Sequence, residues 1–367
     1  MVTVLIAGGG TGGHVFPMIA VGDAVRALDP SARVVYCGTS RGIEARVIPE
    51  QGGELELLQV IPLRGGGVSG FVKGVSRAAG SLPEARAMVK RLRPDVVLSV
   101  GGYAAGPVSL AARFQGVPVT MLEPNSVLGL ANRLLSPFAA RAYVAFPEAE
   151  RFLRPSVVRR SGVPLRRAFA PSPYAPGSGA LSVLVLGGSQ GSQALNAAVP
   201  RAIAAAARQG LEVSVVHQTG RDREVEVRAL YAELDLARAS VVPFIDDVAA
   251  ALGAADVVIE RAGASSLAEV CAVGRPSILI PYPFAADDHQ YKNALSLERQ
   301  GAAVALAQPQ ATPARIADEL ERLARDPDRR VRMARAAGAL GKPDAAMFVA
   351  RDLLNLARAG SQAKEAS

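Results

Sequence analysis

Tryptophan is absent from the 367 residues, cysteine occurs twice, histidine three times, and aromatic side chains make up only 5% of the chain. Each shortage excludes a class of function. Cys37 and Cys271 sit in separate apolar stretches and belong to no C-x-x-C pair, which argues against a disulfide framework or a cysteine-built zinc site. A reduced, cytoplasmic setting is expected. No basic run is interleaved with aromatics, so a base-stacking groove is disfavoured and nucleic acid is not expected as a partner. Long apolar runs are missing too: no stretch reaches the roughly 18 residues that suggest a membrane span. The opening residues Met1–Ile6 run straight into a glycine loop and read as a strand, not a signal peptide.

What is present is a basic excess. The net charge is +8 and the pI about 9.9, a balance that favours anionic partners such as phosphorylated metabolites or an anionic membrane surface. The length suggests two domains at about 150 residues each. Short apolar runs alternate with helix-patterned segments, the rhythm of βαβ units on parallel sheets. Strands are expected at Val2–Ala7, Val34–Cys37, Asp95–Val100 and Val117–Leu122, with helices at His14–Leu28, Leu82–Leu92 and Pro107–Phe114. The plan then restarts with a strand at Leu181–Leu186 and a helix at Gln193–Gln209. Further strands are expected at Val213–His217, Ser240–Pro243, Asp256–Ile259 and Ser277–Ile280. Arg160–Ala180, crowded with Pro164, Pro171, Pro173 and Pro176, reads as a linker.

Two glycine loops follow corresponding strands. Gly8–Gly13 precedes a helix that starts at His14, and Gly187–Gly191 holds the matching place in the second half. Glycines there allow close backbone approach, and a helix N-terminus favours an anion. The first loop also satisfies G-x-G-x-x-G. A dinucleotide site, however, needs an acid at the end of the next strand, which here reads Tyr36-Cys37-Gly38-Thr39. A third cluster, Glu260–Glu269, opens a helix whose N–H groups at Ala264, Ser265 and Ser266 suit a pyrophosphate. Glu269, a turn further on, is either a ribose ligand or a solvated helix carboxylate.

Eight motifs then fall in order: GGGTGGHVFP, GGYAAGP, EPNSVLGLAN, LGGSQGSQALN, HQTGR, PFIDD, RAGASSLAE and DDHQYKNA. Together they resemble the MurG family of N-acetylglucosaminyltransferases, over nearly the whole chain from Val2 to about Arg358. The resemblance implies an α/β fold of GT-B architecture, two Rossmann-like domains with parallel sheets facing across a cleft. It divides the chain into an acceptor- and membrane-docking domain (1–163), a UDP-GlcNAc domain (164–340), a C-terminal helix returning to the first domain (341–358) and a disordered tail (359–367). It implies transfer of GlcNAc from UDP-GlcNAc to the C4 hydroxyl of the muramyl sugar of lipid I, with inversion, giving lipid II. The setting it implies is peripheral, on the cytoplasmic face of the cell membrane.

Carried over by motif, the donor ligands are Thr11, Gly12, Gly13, Asn125, Arg166, Ser189, Ile245, Ala264, Ser265, Ser266, Glu269 and Gln290. The acceptor residues are Gly102, Tyr103 and Gly106. The chain departs from the family pattern at Glu260, where a small or polar residue is usual, and at His289, where glutamine often stands. No DxD-like metal motif lies in the donor region. Asp287-Asp288 reads as a helix start, so neither metal nor cofactor is expected. His14 is the candidate base because imidazole titrates near neutral pH; its alternative role is a hydrogen bond to the acceptor pyrophosphate. Glu123 is the second candidate base, and His217 reads as structural.

In Val68–Leu82, Phe71, Val72, Val75, Ala79 and Leu82 share a helical face, with Arg64, Lys73 and Arg77 around it. That pattern suits docking on anionic lipid, and equally an ordinary core-facing helix. A non-catalytic nucleotide-binding module, or another GT-B transferase with a different acceptor, are the competing functions.

Overall fold

The computed structural model describes residues 1–59, 80–102, 104–177, 179–188 and 190–365, with side chains to residue 360. The expected membrane patch (Phe71, Val72, Lys73, Val75, Arg77) lies outside the described residues, as do Tyr103 and Ser189. The chain forms two compact units, residues 1–166 with 344–367, and residues 167–343.

Unit 1 comprises β1 (Thr3–Ala7), α1 (Gly12–Leu28), β2 (Arg33–Gly38), α2 (Glu44–Glu50), β3 (Glu54–Leu57), α3 (Leu82–Leu92), β4 (Val96–Ser99), α4 (Ala105–Phe114), β5 (Val119–Glu123), α5 (Leu130–Leu135), β6 (Arg141–Val144) and β7 (Val158–Arg160). Its sheet is parallel throughout, in the order β3-β2-β1-β4-β5-β6-β7. Both faces are covered, which is why the strands read as near-continuous apolar runs. The pleat still divides them. Val4, Ile6, Val34, Tyr36, Val96 and Leu98 pack on one side, while Leu5, Ala7, Val35, Cys37, Val97 and Val119 pack with α3 and α4 on the other.

Unit 2 repeats the plan with β8 (Leu181–Leu186), α6 (Gln193–Arg208), β9 (Val213–Gln218), α7 (Glu224–Glu233), β10 (Ala239–Val242), α8 (Val248–Ala254), β11 (Val257–Glu260), α9 (Ala264–Val273), β12 (Ser277–Leu279), α10 (His289–Arg299), β13 (Ala303–Ala305), α11 (Pro313–Arg325) and α12 (Pro327–Leu340). Its parallel sheet runs β10-β9-β8-β11-β12-β13. The Pro-rich segment before it is fastened, not slack. Arg275, almost fully buried, donates to the Ser172 carbonyl (3.0 Å) and hydroxyl (3.1 Å), and the Tyr174 hydroxyl donates to the Asp256 carbonyl.

A last helix, α13 (Ala345–Glu365), belongs to unit 1. Ala346, Val349, Ala350, Leu353, Leu354 and Ala357 recur at helical spacing and complete the core beside α1. Asp352 accepts from the Tyr143 hydroxyl at 2.9 Å, and Arg358 pairs with Asp29 at 2.9 Å. The helix runs to Glu365.

Candidate active site

In a doubly wound sheet, ligands bind beyond the carboxyl ends of the strands where the strand order reverses. In unit 1 the reversal falls between β1 and β4, and in unit 2 between β8 and β11. The expected site residues follow these strand ends. Thr11–His14 succeed β1, Gly102 and Gly106 succeed β4, and Glu123 ends β5 with Asn125 just beyond it. In unit 2 the second glycine loop follows β8, Ile245 follows β10, Ala264–Glu269 follow β11 and Gln290 follows β12. Each group therefore lies on one edge of its own sheet.

The β1 and β4 loops of unit 1 press together. Gly9 and Gly102 have φ of 131° and 88°, and a Cβ on Gly102 would sit 2.5 Å from the Gly9 carbonyl oxygen. Only glycine allows both the conformation and the approach. His14, in the first turn of α1, places Nδ1 3.2 Å from the Gly9 carbonyl oxygen. Its Nε2 lies 3.3 Å from the position a Cβ on Gly101 would take. Thr11, at the helix N-cap position, is exposed, with Gly12 and Gly13 beside it. Arg166 lays its guanidinium over the Phe16 ring of α1, 5.6 Å from the centroid.

Beneath the first loop is a group that sequence reasoning missed. Glu44, the first residue of α2, is wholly buried, and its carboxyl accepts from Gly10 N–H (2.8 Å), Thr39 N–H (2.9 Å) and the Thr39 hydroxyl (3.1 Å). The acid sought at the end of β2 is present after all, six residues past Gly38, turned inward onto the loop. The glycines at 38 and 42 that make room for it were the only sequence signal.

Glu123 is likewise an anchor. It is 2% exposed, and its two oxygens accept from the Asn125 backbone (3.1 Å) and side chain (3.3 Å), Gly129 N–H (2.9 Å) and Asn132 Nδ2 (3.1 Å). A carboxylate offers about four acceptor positions. Burial raises its pKa, against the pull of these donors. With its acceptor positions engaged and almost no exposure, Glu123 holds the loop carrying Asn125 and is not poised to take a proton from a substrate. Asn132 extends the network to Ser99, whose hydroxyl donates to its side-chain oxygen at 3.1 Å.

In unit 2 the glycine loop backs onto the turn after β9. A Cβ on Gly220 would sit 2.6 Å from Gly191 Cα, and Gln218 Nε2 donates to the Gly188 carbonyl at 3.0 Å. His217 supports this loop from below. It is fully buried between the Tyr231 hydroxyl (3.0 Å) and Asn196 Oδ1 (3.1 Å), and burial lowers its pKa to about 4, so it stays neutral. α9 starts at Ala264 directly after the β11 turn, which puts the positive end of its dipole at the sheet edge. Ser265, Ser266 and Glu269 are half-buried along it. Ile245 is half-buried beside the exposed Phe244, and Asp247 of the same motif caps α8 by accepting Ala250 N–H at 2.9 Å. Gln290, in the first turn of α10, accepts Tyr282 N–H through Oε1 at 3.0 Å, which fixes the orientation of its amide. Asp287 and Asp288 form a 3-10 turn with φ of 51° and 54° immediately before α10.

Both units match known protein families. The family model described as the glycosyltransferase family 28 N-terminal domain covers residues 4–144, and that of the C-terminal domain covers residues 182–348. A Sorangium cellulosum protein named UDP-N-acetylglucosamine–N-acetylmuramyl-(pentapeptide) pyrophosphoryl-undecaprenol N-acetylglucosamine transferase is 71% identical over 98% of this chain and 89% of its own. A protein of the same name from Anaeromyxobacter dehalogenans is 43% identical, over 97% and 93%. Among solved structures, Acinetobacter baumannii MurG is similar with a TM-score of 0.79 at 31% identity, over 97% of this chain and 100% of that one. The chain belongs to glycosyltransferase family 28 and, within it, to the MurG family.

Proposed function

We propose that this chain transfers GlcNAc from UDP-GlcNAc to the C4 hydroxyl of the muramyl sugar of lipid I, with inversion, to give lipid II. The observation that carries the reading is the 71% identity, over 98% of the chain, to a transferase of that name. In this reading unit 2 takes the donor. Ile245 meets the uracil through its backbone, Glu269 the ribose, Ser189 and Ala264–Ser266 the pyrophosphate, and Gln290 the sugar hydroxyls. Thr11, Gly12, Gly13, Asn125 and Arg166 contribute to donor binding from unit 1, whose Gly102, Tyr103 and Gly106 take the acceptor.

His14 is the base. The proton of the acceptor hydroxyl passes to Nε2 while its oxygen attacks the GlcNAc C1 from the side opposite UDP. The bond from C1 to the β-phosphate oxygen breaks, and its electron pair leaves with UDP. The N-terminus of α9 stabilises that developing charge by about 0.3–2 kcal/mol through its dipole, with individual N–H bonds in addition. No metal takes part in this scheme.

No helix among the described residues is long and apolar enough to cross a membrane. A peripheral encounter with an anionic membrane surface, on its cytoplasmic face, fits the polyprenyl-linked acceptor. Besides the stretch carrying Phe71, Val72, Lys73, Val75 and Arg77, unit 1 exposes Leu130 and Leu134 a turn apart on α5, then Phe138. Phe152 is exposed as well, with Arg133 and Arg151 lying over its ring.

The test is UDP release from UDP-GlcNAc with and without a lipid I analogue. Release that depends on the acceptor supports the reading; release indifferent to it, or seen only with an unrelated acceptor, overturns it.

A further inference from the structure

The Gly9–Gly10 peptide group is held at both ends. Its N–H, on Gly10, donates to Glu44 Oε2 at 2.8 Å. Its carbonyl, on Gly9, lies 3.2 Å from His14 Nδ1. A carbonyl oxygen only accepts, so in the neutral ring the proton sits on Nδ1 and the lone pair on Nε2. The carboxyl behind this peptide is itself immobilised, with Oε1 accepting both the N–H and the hydroxyl of Thr39. Gly9, Gly38 and Gly42 close around it so tightly that a Cβ on any of them would collide with the carboxyl group. The cradle is thus built for Glu44, and Glu44 is built against the peptide that meets His14 Nδ1.

We propose that Glu44 is a positioning residue for His14, acting through the Gly9–Gly10 peptide to hold the imidazole in its Nδ1–H tautomer. The arrangement has the logic of a carboxylate behind an imidazole, with one amide inserted between them. An amide whose N–H bonds a carboxylate is polarised, so its oxygen becomes the better acceptor for the Nδ1 proton. The same contact occupies the Gly10 N–H, which a dinucleotide phosphate would otherwise claim. The loop therefore carries the G-x-G-x-x-G spacing with the Gly10 N–H already engaged by Glu44. The consequence for turnover rests on His14 being the base, as proposed above; the tautomer does not.

With three histidines in the chain, the ring nitrogens can be assigned one residue at a time by nitrogen-15 NMR. His217 is the internal reference of opposite sense. Asn196 donates its Nδ2 to the Thr219 carbonyl, so its Oδ1 faces His217 Nε2, which must carry the proton there. The expected result is a pyrrole-type Nδ1 for His14 and a pyrrole-type Nε2 for His217. Glu44→Gln should shift His14 toward the other tautomer, leave His217 unchanged and remove part of the roughly 10²–10⁴-fold that a general base contributes to kcat, with donor KM near normal. A Glu44→Gln protein that melts earlier but keeps the His14 tautomer and kcat overturns the proposal. If Glu44→Gln does not fold, Thr39→Val decides. That change removes one hydroxyl from the cradle, so a partial tautomer shift upholds the coupling and an unmoved His14 overturns it. A shifted tautomer with undiminished kcat upholds the positioning and rejects His14 as base, which separates the two failures.

Discussion

Glu260 offers the sharpest test of the energetics. It ends β11 with no exposure, and neither carboxyl oxygen has a hydrogen-bond partner among the described residues. Burial raises its pKa well above the ordinary range, and the charge of Glu269 adds to the shift. The folded chain therefore keeps a proton that the unfolded chain releases above about pH 4.3. Unfolding then loses a proton, so stability falls with rising pH, by about 1.4 kcal/mol per unit, from the ordinary carboxyl range up to the folded-state titration. A neutral carboxyl buried without a partner costs roughly 1–3 kcal/mol more. Glu260→Met, unbranched and of similar length, removes both penalties. At pH 7 a gain of only 2 kcal/mol moves the melting of a unit this size by about 4–8 °C. Calorimetry of the two proteins at pH 5, 6, 7 and 8 should show the variant melting higher, with a gap that widens with pH. Glu269→Gln in the parent background should leave that gap unchanged wherever Glu260 stays protonated, because a neutral carboxyl feels no repulsion from Glu269. A gap that stays flat across pH, or a methionine variant that melts lower, refutes the account of Glu260 as a neutral, unpartnered acid.

Three further outcomes are expected. His14→Ala should lower kcat by about 10²–10⁴-fold with donor affinity near normal; a raised acceptor KM at constant kcat would instead make the histidine a pyrophosphate ligand. Glu269→Ala should raise donor KM more than it lowers kcat, as for binding already present before the transition state, and turnover should survive EDTA. Activity lost to EDTA and restored by magnesium would end the metal-free scheme. Phe71→Ser/Val75→Ser, and separately Leu134→Ser/Phe138→Ser, should weaken binding to anionic vesicles while preserving turnover of a short-chain acceptor. Unfolding of the Phe71→Ser/Val75→Ser variant would instead make that stretch part of the core, and unchanged vesicle binding by both would end the membrane reading.

The order of elements and the position of the two glycine loops were legible in the sequence because parallel strands buried on both faces must be apolar along their length, as in β1, β4 and β8. Glycines at their carboxyl ends then mark where backbone meets ligand or backbone. Short edge strands were not legible. Glu54–Leu57 and Val158–Arg160 carry half-exposed charged residues that read as loop, and only pairing with β2 and β6 makes them strands. Most plainly, charge in the sequence carries no direction. Glu44, Glu123 and Glu260 are three acids at or near the ends of strands, and sequence alone cannot say whether each faces solvent, a ligand or the core. Folding turned the first under the His14 loop, ringed the second with four donors and left the third neutral and unpartnered. Those roles depend on which backbone N–H groups long-range packing brings within 3 Å of a carboxyl oxygen.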